Sequence, residues 1–250
     1  MGRFTDRVAV VTGAGSGIGK ATAMRLGSEG ATVACLDVNG DACTATAEAL
    51  TAAGGGKGTG YACDVSDPAS VEAVVAKVAA ELGPPYVLGN IAGIGTFAHT
   101  IDQPVEEWQR ILAVNLTGSF LMARATLPHL LETGGNIVNI ASSAGIVGQP
   151  FSAAYCASKG GVIMLTKSLA NEFVGRGVRV NAVAPGGIDT PIIDSFALPE
   201  GANRRMLARI MSPLGYGRAE DVAALIAFIA SDEAAYMTGS IVSFDGGITS

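Results

Sequence analysis

The chain reads as an α/β protein, a doubly wound parallel sheet of seven strands with helices on both faces. Three observations point there. Seven short, β-branched runs are spread along 250 residues, at 8–12, 32–37, 61–64, 86–90, 136–141, 178–184 and 241–244. Ala/Leu-rich stretches of helical length separate them. The runs are apolar throughout instead of alternating, as strands covered on both faces are. With 49% apolar residues and no linker-like shift in composition, the whole chain, 1–250, is expected to be one domain.

Each element has a local reason. Val8 to Thr12 is a pure strand former that runs into a glycine-rich turn and then a helix. The second strand ends on Asp37. The glycine-rich patch at 54–60 reads as a flexible connector ahead of the third strand at 61–64. Ser66-Asp67-Pro68 opens a helix with proline in its first turn, and Leu82-Gly83-Pro84-Pro85 closes it. The stretch 191–216 mixes Ile192, Ile193, Phe196, Leu198, Met206, Leu207 and Met211 with charges and is broken by Pro199 and Pro213. An apolar insertion without a strand signal, after the sixth strand, is a candidate substrate lid.

Composition narrows the partners. Sixteen basic residues against 22 acidic ones, with no basic-aromatic interleaving, argue against a nucleic-acid or anionic-membrane surface, so the expected partner is a small molecule. Cys35, Cys43, Cys63 and Cys156 show no Cys-x-x-Cys spacing, and no charged-then-apolar leader precedes Val8, which points to free thiols and a cytoplasmic protein. His99 and His129 stand thirty residues apart without a companion at ligand spacing, so no metal is expected.

The chemistry sits in two motifs. Thr12-Gly13-Ala-Gly-Ser16-Gly17-Ile18-Gly19 follows a strand and opens a helix, the context a pyrophosphate needs: a tight turn, close backbone approach and free N–H groups. Asp37, about 20 residues on, can accept hydrogen bonds from ribose hydroxyls and would repel a 2′-phosphate. Ser16 stands where a phosphate-pairing Arg or Lys would be needed, so NAD is favoured over NADP. Capping of the following helix is the alternative role for Asp37.

Downstream, Ser142 ends the fifth strand and Tyr155-Cys-Ala-Ser-Lys159 puts a tyrosine and a lysine on one helix face. A phenol titrates near ~10, and an ammonium about 5 Å away would favour the phenolate by roughly 3 kcal/mol, or roughly two pK units, at an effective dielectric of ~20. Tyr155 is thereby expected to be a usable acid/base.

Taken together, the glycine turn, Asp64, Asn90-Ile-Ala-Gly93, Asn115, Ser142, Tyr155, Lys159 and Pro185-Gly186 resemble, in order and over essentially the whole length, the short-chain dehydrogenase/reductase family with its Rossmann-like fold. The resemblance implies a catalytic set of Asn115, Ser142, Tyr155 and Lys159. Tyr155 would exchange the proton with the substrate oxygen, Ser142 would hydrogen-bond that oxygen, Lys159 would also hold the nicotinamide ribose, and Asn115 would keep a relay water. Cofactor contacts would come from Gly13, Ser16, Gly17, Ile18, Gly19, Asp37, Asp64 and Val65 (adenine), Asn90, Ala92 and Gly93, and from Pro185, Gly186, Ile188 and Thr190 (carboxamide). Members are commonly tetramers. Two positions depart from the pattern: Ile91 replaces a second asparagine, and Tyr86 replaces an Asp at the start of the fourth strand.

The activity implied is an NAD(H)-dependent interconversion of a secondary alcohol and a ketone. Three rivals accompany it. A 3-oxoacyl-carrier-protein reductase is weakened because Leu131-Glu-Thr-Gly-Gly135 and Asn171 stand where basic docking residues are usual. A sugar-nucleotide epimerase or dehydratase is weakened by the short length, and a non-catalytic NAD(H)-binding protein by the intact Ser, Tyr and Lys.

Overall fold

All five residues of the first strand, β1 (Val8–Thr12), are buried, because helices cover the sheet on both sides. The structure is a computed structural model describing residues 2–250, the side chains of Arg204 and Arg209 excepted. Its main sheet adds β2 (Thr32–Asp37), β3 (Lys57–Ala62), β4 (Pro85–Asn90), β5 (Asn136–Ile140), β6 (Arg179–Pro185) and β9 (Ile241–Phe244), in the order β3-β2-β1-β4-β5-β6-β9 with every pairing parallel. Between β6 and β9 lie two-residue strands, β7 (Ile188–Asp189) and β8 (Gly217–Arg218), paired with each other.

The intervening helices are α1 (Gly17–Ser28), α2 (Gly40–Ala53), α3 (Pro68–Leu82), α4 (Val105–Leu112), α5 (Gly118–Thr133), α6 (Ala144–Val147), α7 (Ala153–Phe173) and α8 (Ala219–Ala230). Alternate strand residues feed two cores. Ala9, Val11, Val33 and Cys35 meet Leu26 and Ile226 on one face, and Val10, Leu36, Leu88 and Ile137 meet Met122 and Phe173 on the other. The seven-stranded doubly wound architecture read from the sequence is the one observed.

The third strand begins earlier than the sequence suggested. Lys57 to Gly60, expected as flexible connector, pair in register with Thr32 to Cys35. The glycines are there for contact rather than freedom: a Cβ on Gly58 would lie 2.6 Å from the Ala47 carbonyl oxygen, so α2 seats directly on the strand. Helix α3 starts as expected, with the Asp67 side chain accepting from the Ala69 N–H and Pro68 in its first turn.

The two family departures fall at opposite ends of β4, and each is absorbed by its surroundings. The Tyr86 hydroxyl donates to Asp232 (2.9 Å), and the Arg7 guanidinium, paired with the same Asp232, lies 4.0 Å from the Tyr86 ring centroid. Ile91 packs at the edge of one core.

The short β7–β8 pair closes residues 190–216 into an excursion that leaves and returns at one point, Ile188 facing Gly217. Two-residue strands carry no periodicity, so sequence could not show this bracket. The excursion contains 3₁₀ turns at Pro191–Ser195 and Arg204–Ile210.

The tight α2–β3 seating predicts that Gly58→Val, despite valine's strand propensity, lowers stability by about 1–3 kcal/mol through overpacking. Urea denaturation would show a reduced midpoint with an unchanged slope; an undiminished midpoint would contradict the close approach.

Candidate active site

Strand order reverses between β1 and β4, and the crevice that opens at the strands' carboxyl ends is where ligands of such sheets bind. The Thr12 hydroxyl, at the tip of β1, accepts from the backbone N–H groups of both Ile91 (2.9 Å) and Ala92 (3.0 Å), fixing the floor. The cleft has a volume of about 900 Å³.

At one end lies the glycine turn. Gly13 has φ +67°, and a Cβ there would sit 3.0 Å from the Ala92 backbone; a Cβ on Gly19 would sit 2.0 Å from the Gly13 carbonyl oxygen. Ser16 caps α1 in extended conformation without using its side chain, so the helix presents free N–H groups. The Asp37 carboxylate accepts from the Gly15 N–H (2.9 Å) and the Asn39 N–H (2.9 Å), which holds it beside the turn. The cap of α2 is Asn39, whose side chain accepts from Ala42, so Asp37 is not the helix cap. A narrow backbone cradle, an open helix start and a fixed carboxylate together fit a dinucleotide.

At the other end α7 crosses β5. The Lys159 side chain, 3% exposed, donates from Nζ to the Ile140 carbonyl (2.8 Å) and lies 5.8 Å from the Tyr155 ring centroid. Burial pulls its ammonium down to about 8. Tyr155 is half-buried and lines the cleft. Burial pushes this phenol up to about 12, with the Ser142 hydroxyl pulling weakly the other way. The expectation of a lowered tyrosine pKa is therefore overturned for the free chain: desolvation outweighs an ammonium that is itself desolvated and turned to a carbonyl.

Ser142 lines the cleft beyond β5, its oxygen accepting from the Ala144 N–H (3.1 Å). Asn115 sits behind the cleft wall, fully buried, in a π-helical turn, Ala113–Thr117, that joins α4 to α5. Its amide grips both backbone groups of Ile94 (2.8 Å each) and donates to Ser158 Oγ (3.0 Å), which in turn donates to the Tyr155 carbonyl. Asn115 thus braces the loop after β4 against the tyrosine helix.

All the site residues read from the sequence line the cleft except Asn115 and Asn90. Asn90 is tied into the sheet by its side chain, and a cofactor contact from it would come from its backbone. Its side chain turns inward, donating to Asn139 Oδ1 (2.9 Å) and the Ser119 carbonyl (3.1 Å), so it ties β4 to β5 and α5. The following residue, Ile91, faces the cleft in its place, because successive strand residues point to opposite sides. Ile94, Thr96, Ile146, Gln149 and Phe151 are the pocket residues that the sequence suggests; Ile94 and Gln149 line the cleft, and Thr96 and Ile146 do not. Phe151 stands outside, at φ +64°, its carbonyl accepting from Ala98.

Sequence reasoning missed Thr12, Ser158 and Phe97. Thr12 stood next to a recognised turn; the other two belong to no local pattern. Among the described residues no group of three metal-type side chains comes together.

The sequence matches the family described as enoyl-(acyl carrier protein) reductase over residues 13–249. It is 43% identical to the 3-oxoacyl-(acyl-carrier-protein) reductase of Thermotoga maritima, across 98% of this chain and 99% of that one. Identity is 41% to the 2-(S)-hydroxypropyl-CoM dehydrogenase 3 of Xanthobacter autotrophicus, across 99% and 98% of the two chains. A short-chain type dehydrogenase/reductase from Mycobacterium marinum superposes with a TM-score of 0.89 at 35% identity, covering 98% of this chain and 96% of that one. The chain belongs to the short-chain dehydrogenase/reductase family and is an oxidoreductase.

The buried lysine makes stability depend on pH. The unfolded lysine keeps its proton to about its ordinary 10.5, whereas the folded one releases it near 8. Between those values the unfolded state binds more protons, so folding strengthens as pH rises. Relative to Lys159→Met, the wild type should gain about 3 kcal/mol from pH 8 to 10.5, read from denaturation midpoints. A constant difference would contradict a charged, desolvated Lys159.

Proposed function

We propose that the chain is an NAD(H)-dependent oxidoreductase that interconverts a secondary alcohol and a ketone. The observation that carries this is the shared cleft, with the Asp37 carboxylate held against the glycine turn at one end and Ser142, Tyr155 and Lys159 at the other. NAD bound there would supply the hydride acceptor at its nicotinamide. Gly13, Ser16, Gly17, Ile18 and Gly19 would hold its pyrophosphate and Asp37 the adenosine ribose. Asp64 and Val65 would flank adenine, with Ala92 and Gly93 beside the ribose. Pro185, Gly186, Ile188 and Thr190 would meet the carboxamide.

In oxidation the alcohol O–H passes its proton to the Tyr155 oxygen while the carbinol hydrogen leaves as hydride, and reduction runs both transfers backward. Ser142 would orient the substrate oxygen, and Lys159 would stabilise the phenolate and hold the nicotinamide ribose. Asn115 keeps the frame, and a water beside it would continue the proton path. Because the free phenol sits high, Tyr155 needs the charge balance of the loaded cleft to give up its proton near neutral pH.

A 3-oxoacyl-carrier-protein reductase is the second reading, favoured by the relative from Thermotoga maritima. The lack of basic residues at 131–135 and at Asn171 counts against carrier docking there. Residues 191–216 would serve as the substrate lid, within a single oxidoreductase domain. A homotetramer fits the exposed Phe120 on α5 and Met164 on α7, and the unpaired thiols fit a cytoplasmic setting.

Initial rates with both cofactors test the reading. Wild type should prefer NAD over NADP by at least about tenfold in kcat/KM, or ~1.4 kcal/mol, and Asp37→Ala should narrow that ratio. Equal use of both by the wild type would overturn the assignment.

A further inference from the structure

Resting on the oxidoreductase reading, we propose that the substrate is an uncharged, apolar secondary alcohol or ketone carrying bulk of about ring size, rather than a polyol or an anion. The part of the cleft beyond Tyr155 is shaped by Phe196. Its ring meets Tyr155 edge-on (centroids 5.3 Å apart, 78°) and Phe97 likewise (4.9 Å, 62°). Two polar contacts fix the segment that carries it: Ser195 Oγ donates to the Gly95 carbonyl (2.6 Å), and His99 Nε2 lies 3.0 Å from the Glu200 carbonyl. Gly95 leaves room for this stack, since a Cβ there would lie 2.5 Å from Phe196 Cζ and 2.8 Å from Tyr155 Cδ2.

Ile192, Leu198, Leu207 and Met211 complete the wall. The polar groups available to a substrate there are few. Ser142 and Tyr155 are taken by the reacting oxygen, Thr190 donates to the Ile188 carbonyl and Ser212 to the Gly246 carbonyl, which leaves Ser143, Gln149 and Tyr216. Among the described residues the cations lining the cleft are Lys159 and Arg110. Lys159 donates to the Ile140 carbonyl and, in the proposed reading, serves Tyr155 and the nicotinamide ribose. Arg110 lies on α4, whose continuation at Gly118 meets Val65, on the adenine side.

A second hydroxyl that faces Phe97, Phe196, Ile192 and Leu198 would be buried against carbon without a partner, and a carboxylate or sulfonate there would meet no counter-charge among the described residues. An added methylene would gain about fourfold in affinity, the equivalent of ~0.8 kcal/mol. Shape and chemistry thus favour the same substrates.

The test is a comparison of kcat/KM with NAD across matched compounds: 2-propanol, 2-butanol and cyclohexanol; 2,3-butanediol and threitol; and cis-4-hydroxycyclohexanecarboxylate. Cyclohexanol should exceed 2-propanol by tenfold or more, and 2,3-butanediol should fall at least tenfold below 2-butanol. The carboxylate should fall well below cyclohexanol. Phe196→Ala should raise KM for cyclohexanol more than for 2-propanol, and Phe196→Leu should restore most of the difference. A polyol or carboxylate that equals its apolar counterpart, or a Phe196→Ala effect alike on both alcohols, overturns this inference and leaves the oxidoreductase reading standing. Absence of turnover for every compound with NAD and with NADP overturns both.

Discussion

The architecture of the site turns on one buried cation. Lys159 lies between β5 and α7, 3% exposed, with a carbonyl at the end of β5, Ile140, receiving its ammonium in place of bulk water. That placement demands small neighbours. A Cβ on Gly145 would lie 2.7 Å from the Lys159 backbone, and one on Gly93 would lie 3.4 Å from Nζ. The helix is thereby pressed onto the strand end, and Tyr155, one turn earlier, is delivered to the cleft wall.

A second chain of contacts makes that delivery rigid. The Asn115 amide spends both its donors and one acceptor position on Ile94 and Ser158, and Ser158 passes the constraint to the Tyr155 carbonyl. The π-helical turn is the local distortion that re-aims Asn115 into this position, and such turns recur at functional sites. Rigidity here has a purpose, since proton and hydride transfers need their groups held in reacting geometry. The cost appears in the raised phenol and lowered ammonium of the free chain, both caused by burial.

Legibility in the sequence followed the range of the interactions. The glycine turn, Asp37 and the Tyr155–Lys159 pair were readable because each is a local pattern whose chemistry dictates residue type and spacing. In the main sheet the strands other than β3 were placed within a residue or so for the same reason, by unbroken apolar runs. Failures came where the cause was distant. Gly58 looked flexible until α2 was seen seated on it, and the bond of the Asn90 side chain to Asn139 joins strands that are 49 residues apart in the chain. Phe196 meets Phe97 across about a hundred residues of chain, a contact no single-sequence pattern reports. The tyrosine's pKa went the other way because a charge-distance argument leaves out desolvation of both partners.

The central claim is that the cleft moves a hydride while Tyr155 moves the proton, and isotope transfer tests it most directly. With cyclohexanol deuterated at the carbinol carbon and NAD, mass spectrometry of the reduced cofactor should show one deuterium and no hydrogen drawn from solvent. The same incubation with Tyr155→Phe should yield almost none. Reduced cofactor carrying solvent hydrogen, or undiminished transfer in Tyr155→Phe, would contradict the account.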